Sequence, residues 1–91
     1  MLGLSEQTWG VLNEVLEERN RPEKKWGPQN HDGPLYLTIL TEEVGETAQA
    51  ICDYRYKGTL PARAEHIREE LIQVAAVAVA MVEAWDRGHC R

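Results

Sequence analysis

Glu42, Glu43 and Glu46 stand together in the run TEEVGE. On a helix, residues three or four apart share a face. Glu43 and Glu46 therefore project together, and Glu42 lies close to Glu46. No lysine or arginine occurs between Pro34 and Tyr54, so nothing nearby on this element neutralises the three carboxylates. Gly45 sits inside the cluster, and a glycine in a helix interior costs about 0.5–1 kcal/mol relative to alanine. Its presence suggests close approach of another backbone or of a ligand. A second acidic pair, Glu69 and Glu70, is followed by Gln73, three residues beyond Glu70. Two facing helices would bring Glu43, Glu46, Glu70 and the Gln73 amide oxygen to one point. Such hard oxygen donors suit Mg²⁺ or Mn²⁺. The competing reading is a pair of solvated helix faces, since glutamate is a good helix former. Two acidic pairs at the same spacing, each bordering an apolar stripe, weigh towards the site.

Three helical segments must position these groups. The first is expected from about Ser5 to Arg19, with Ser5 as N-cap and Glu6 in the first turn. Trp9, Leu12, Val15 and Leu16 form its apolar stripe, with Glu14, Glu17 and Glu18 largely on the other side. The stretch Asn20 to Pro34 holds three prolines and two glycines, which argues for a long structured loop. A second helix is expected from near Pro34 to about Tyr56, capped by Asp32 or Gly33, with Leu37, Leu40, Val44, Ala48 and Ile51 in helical period. After the break KGTLP, a third runs from about Ala62 to Arg87 and ends at Gly88.

The second half of that helix, LIQVAAVAVAMV, is apolar nearly all round. At 12 residues with Gln73 inside it, it is too short to span a bilayer and reads as a buried helix. Two neighbours cannot cover so wide an apolar surface, so a partner subunit is expected to cover the rest. No strand-like alternation competes. The expected fold is one all-α domain over residues 1–91, a bundle of three main helices plus a structured loop, completed by oligomerisation.

Composition narrows the function. The formal charge of −5 and pI near 5.1 argue against a nucleic-acid partner, which needs a basic stripe. A small phosphorylated ligand stays possible, because a bound metal reverses the local sign. Cys52 and Cys90 fit no zinc pattern and read as free thiols, with Cys52 as a small buried side chain. The segment MLGLSEQTWG has no secretory-signal pattern, so a cytoplasmic location is expected. His66 and His89 have no matching ligand partner in the sequence.

The ordered pair of motifs, Glu42-Glu43-Val44-Gly45-Glu46 and then Glu70-Leu71-Ile72-Gln73, resembles the EExxE and ExxD of MazG-like enzymes in the all-α NTP pyrophosphatase superfamily. The stretches Lys25-Trp26-Gly27 and Asn30-His31-Asp32-Gly33-Pro34 also look like the region before the first motif in small MazG-like proteins. The resemblance covers roughly Glu18 to Trp85. Gln73 departs from the family's aspartate and offers an oxygen without charge.

The resemblance implies Mg²⁺-dependent hydrolysis of a nucleoside triphosphate to monophosphate and pyrophosphate, by a homo-oligomer (dimer or tetramer), in nucleotide-pool control or housecleaning. It implies Glu43, Glu46 and Glu70 as metal ligands, with Gln73 as a further one. Glu42 or Glu43 then orients or deprotonates the attacking water. Arg19, Arg21, Lys24 and Lys25 are four of the ten basic residues and supply charge for the phosphate tail. Trp26 is placed to stack on a base, Asn30 to read a base or sugar edge, and His31 to contact phosphate. Each of these has an ordinary structural reading beside it: a solvated basic loop, a core anchor, a loop cap. The rival functions are a non-catalytic metal or nucleotide binder and a helical interaction module.

Overall fold

The computed structural model describes the backbone of residues 5–26 and 30–90, and the side chains of 5–21 and 30–90. It holds three helices and, among the described residues, no strand.

Helix α1 spans Glu6–Trp26. Ser5 caps it: its Oγ accepts from the Thr8 backbone N–H at 3.1 Å, and its carbonyl accepts from Trp9 N–H at 3.0 Å. The helix does not stop at Arg19, as the sequence suggested, but continues through Pro22. A proline inside a helix removes one backbone donor and crowds the carbonyl four residues earlier. That penalty is local, and here it is outweighed by the helix on either side. Lys24, Lys25 and Trp26 therefore have helical backbone instead of belonging to a loop, and the connection to α2 is correspondingly short.

Helix α2 spans Gly33–Lys57. Asp32 is its N-cap, its side chain accepting from Leu35 N–H at 2.9 Å, and Pro34 fills the first turn, where its missing N–H costs nothing. Gly58, at φ +137°, ends the helix in a conformation L-residues avoid, and its carbonyl accepts from Arg63 Nη1 at 3.0 Å. Helix α3 spans Pro61–Asp86. It ends in a Schellman turn: Gly88, at φ +85°, donates to Trp85 O at 2.9 Å, and His89 donates to Ala84 O at 2.9 Å.

α3 is the central element. Both other helices pack on it, and among the described residues they do not pack on each other. α1 runs alongside it in the same direction, tied by Arg68 to Glu14 near one end and by Arg19 Nε to Glu83 Oε1 (2.6 Å) near the other. α2 runs antiparallel to α3. The turn after α3 closes back on the start of α2, where Tyr36, Ala84 and Cys90 form the buried core with Ala80 and Met81 against it. The Cys90 thiol faces the His31 carbonyl at 3.6 Å, and Arg87 Nη2 donates to Asn30 Oδ1 at 2.7 Å. Gly33 is required here: a Cβ would lie 2.8 Å from the Cys90 carbonyl oxygen.

The apolar stripes read from the sequence coincide only in part with where the chain packs on itself: Val15 is buried and Leu40 half-buried. Trp9, Leu12 and Leu16 on α1 are exposed, as are Leu37, Val44 and Ile51 on α2. The buried positions are Val15 and Arg19 on α1, and Tyr36, Thr47 and Ala50 on α2. Each of these helices turns a mixed face of small, polar and aromatic residues to α3 and its richer apolar stripe outward. Cys52, expected as a small buried side chain, is exposed on α2.

Candidate metal centre

One carboxylate oxygen from each of Glu43, Glu46 and Glu70 lies within 4.8 Å of the other two. Glu43 and Glu46 share a face of α2 through their i,i+3 spacing, and the antiparallel docking of α3 sets Glu70 opposite them. Donors on opposite sides of one Mg²⁺ stand about 4.2 Å apart at its bond length of about 2.1 Å. Oxygens that all lie within 4.8 Å of one another are close to that separation, and small side-chain rotations bring them onto one ion.

The cluster is costly as it stands. Glu70 is only 6% exposed, and its Oε2 is buried without a hydrogen-bond partner. Glu43 Oε2 is in the same position. A buried acceptor left unsatisfied costs roughly 1–3 kcal/mol, more if charged. Burial holds the Glu43 carboxyl above the ordinary carboxylate value, and the negative charges of Glu46 and Glu70, with a hydrogen bond between the Glu43 and Glu70 carboxyls that favours the protonated form, push it further the same way. Two orphaned oxygens and a carboxyl with a raised pKa are what a cation between the three glutamates would relieve, so this donor set fits a hard divalent ion.

Beside Glu43 opens a cavity of about 310 Å³ between the three helices. α3 supplies its floor through Ala76 and Ala80, α2 supplies Tyr36 and Glu43, and α1 supplies Glu18 and Arg19. Gln73 lines the same cavity, one turn along α3 from Glu70, and so sits next to the cluster without being one of its three carboxylates. His31 lines it too, set edge-on to the Tyr36 ring with centroids 5.0 Å apart.

The other residues singled out from the sequence separate into distinct places. Glu42 is exposed beside the cluster. Arg21 is exposed, with Nη2 2.8 Å from Glu18 Oε2, and lines a second, strongly polar cleft between α1 and α3. Asn30 is held by Arg87. Lys24, Lys25 and Trp26 have side chains outside the described residues. Gly45 does not mark a close approach within the chain, since a Cβ there would meet nothing within 4 Å.

Two residues near the site escape a reading by sequence pattern. Glu18 lies on the side of α1 away from the apolar stripe, yet it lines the cavity. Tyr36 sits one position before the Leu37 stripe. Arg19, expected to supply charge for the phosphate tail, is buried at the cavity and paired with Glu83. His66 is a third case, and here a signal existed: it stands i,i+3 and i,i+4 from Glu69 and Glu70, with Nε2 3.7 Å from Glu70 Oε1.

Comparison with protein-family models, with curated proteins and with solved structures gives no match. The chemistry of the site therefore rests on the residues and their geometry. No helix among the described residues is long and apolar enough to cross a membrane.

Proposed function

We propose that this chain is a divalent-cation-dependent nucleotide pyrophosphohydrolase of the MazG-like kind, releasing nucleoside monophosphate and pyrophosphate from a nucleoside triphosphate. The observation that carries the reading is the convergence of Glu43, Glu46 and Glu70 from two helices, with two buried carboxylate oxygens left unpaired. Simple solvated helix faces would leave those oxygens in water.

In this reading Glu43, Glu46 and Glu70 hold Mg²⁺ or Mn²⁺, and Gln73 adds an uncharged oxygen from its place beside them. The bound cation supplies charge neutralisation and Lewis-acid contact for the phosphoryl oxygens. Glu42, exposed next to Glu43, orients the attacking water and takes its proton. Arg21, Lys24 and Lys25 contribute positive charge for the phosphate tail, while the cavity walled by His31 and Tyr36 takes the nucleoside end.

A homo-oligomer completes the molecule. Among the described residues, six buried hydrophobic side chains, none larger than Tyr36, are a thin core for a chain with exposed apolar stripes on all three helices. A stripe of this kind is self-complementary under a two-fold axis, and pairing two copies buries it. A dimer or a tetramer satisfies the requirement.

The test is hydrolysis of a panel of canonical and modified NTPs and dNTPs with Mg²⁺ or Mn²⁺, following both products. Equal release of monophosphate and pyrophosphate, lost in Glu43→Gln, is the expected result. No turnover on the full panel removes the enzyme reading. Gln73 favours a second reading, a nucleotide binder that holds the cation without turnover. That binder shows nucleotide affinity with no products, and Gln73→Asp then becomes the informative variant.

A further inference from the structure

Glu70 presents two oxygens to two different settings. Its Oε2 is buried and unpartnered on a side chain 9% exposed, and the residue faces Glu43 and Glu46 across the helix interface. Its Oε1 lies 3.7 Å from His66 Nε2, one turn earlier on α3. The other ring nitrogen, Nδ1, stands 3.9 Å from Glu69 Oε2. Ligating histidines are commonly oriented in this way, with one nitrogen on the metal and the other facing a carboxylate.

Two donors that share one ion at bond lengths of about 2.1 Å stand about 3.0 Å apart when adjacent and about 4.2 Å apart when opposite. The separation of 3.7 Å between His66 Nε2 and Glu70 Oε1 falls inside that range. His66 stands outside the group of three carboxylates, next to Glu70 alone, and at 55% exposed its ring can turn towards an ion held there without repacking a core.

We propose that His66 is a nitrogen ligand of the cation held by Glu70, so that the site is a mixed nitrogen–oxygen centre favouring transition-metal dications such as Mn²⁺ over Mg²⁺. The inference rests on the reading of Glu43, Glu46 and Glu70 as a cation site. Imidazole nitrogen is a poor partner for Mg²⁺, which prefers all-oxygen shells, and a good one for the later divalent metals. An all-carboxylate site has no such preference built into it.

The experiment uses the full chain titrated with Mn²⁺ alone, read by electron spin-echo envelope modulation, with Mg²⁺ affinity measured in parallel by competition. Wild type is expected to show nitrogen modulation from a coordinated imidazole. His66→Gln is expected to lose that modulation and about tenfold in Mn²⁺ affinity, a loss typical of a ligand or its close support, while Mg²⁺ affinity changes by less than twofold. Mn²⁺ bound without nitrogen modulation in wild type overturns the proposal, as does modulation that survives in His66→Gln and so comes from His31 or His89. Glu70→Gln separates the levels: if Mn²⁺ affinity is unaffected by it, the cation site itself is wrong. A clean nitrogen signal in a protein that hydrolyses nothing leaves His66 as ligand and removes only the enzymatic reading.

Discussion

At Glu70 the fold accepts a cost that a purely structural helix contact would not need. A buried carboxylate with one unpaired oxygen, opposite two further carboxylates, is destabilising until something positive occupies the space between them. Glu70→Gln should therefore raise the stability of the metal-free protein at pH 7, by roughly 1–2 kcal/mol; the proposed cation site also predicts that millimolar Mn²⁺ or Mg²⁺ raises the wild-type melting temperature and that the variant loses this rise. A drop in metal-free stability would mean that Glu70 is satisfied by contacts within the chain. Glu43 gives the corresponding pH dependence. Its folded-state pKa is raised above 4.5, chiefly by burial, so the folded protein holds this proton more tightly than the unfolded one. The associated stability is fully present below about 4.5 and is lost as pH rises through the folded value. Glu14 works the other way: the hydrogen bond from Arg68 holds it below 4.5, and its contribution is lost as pH falls through that lower value. Metal-free melts should accordingly show the stability of Glu43→Gln relative to wild type shrinking as pH falls from neutral towards 5. Added Mn²⁺ should remove that dependence in the wild type by competing with the proton. A difference between the two proteins that stays constant with pH would place Glu43 in ordinary solvent.

At the scale of elements, the turn after α3 fixes the start of α2, and with it the wall of the cavity. Asp32 caps, Pro34 opens the helix, and Gly33 between them lets the Cys90 carbonyl approach. Gly33→Ala places a methyl 2.8 Å from a backbone oxygen that cannot swing away as a side chain can. The variant should lose about 1–3 kcal/mol, in the range of overpacked cores, with the loss read in a denaturant titration. An unchanged midpoint would show that the C-terminal turn is not docked in solution. This docking was not legible in the sequence, because nothing in the run DRGHC announces a contact with residues some sixty positions earlier. The helices themselves were legible wherever local rules decide: Ser5, Asp32, Pro61 and Gly88 mark ends close to those observed. Pro22 was misread, because a proline weakens a helix without always ending one. The acidic cluster was legible because i,i+3 spacing on two helices is a local property. His66 was passed over for lack of a partner in the sequence, although Glu69 and Glu70 stand three and four residues away. The place of Glu18 was hidden for a different reason: most of the apolar stripe of α1 does not face this chain's own core, and the side carrying Glu18 borders the cavity.

At the scale of the whole molecule, that outward stripe is the decisive fact. Trp9, Leu12 and Leu16 share one face of α1; Leu37, Val44 and Ile51, seven apart, share one face of α2; Leu71, Val82 and Trp85 share one face of α3, and all nine are exposed. Sequence periodicity reports which face is buried, not by what. A single copy buries Arg19, Thr47 and Glu70 while leaving leucine and tryptophan exposed, and the proposed homo-oligomer would resolve that inversion by covering the apolar faces. Assembly then links folding to concentration, so the wild-type melting temperature should rise as protein concentration rises. Val82 is 59% exposed and belongs to neither the acidic cluster nor the cavity lining. Val82→Glu should leave the monomer's own packing intact and place a charge in the contact between copies, where an unpaired buried charge costs several kcal/mol. Sedimentation should show the wild type as a dimer or tetramer at micromolar concentration and the variant shifted to monomer, with its melting temperature lower and no longer dependent on concentration. A wild type that sediments as a monomer at every concentration would leave the stripes to a different partner. The acidic centre would then have to work, or fail to work, within a single chain.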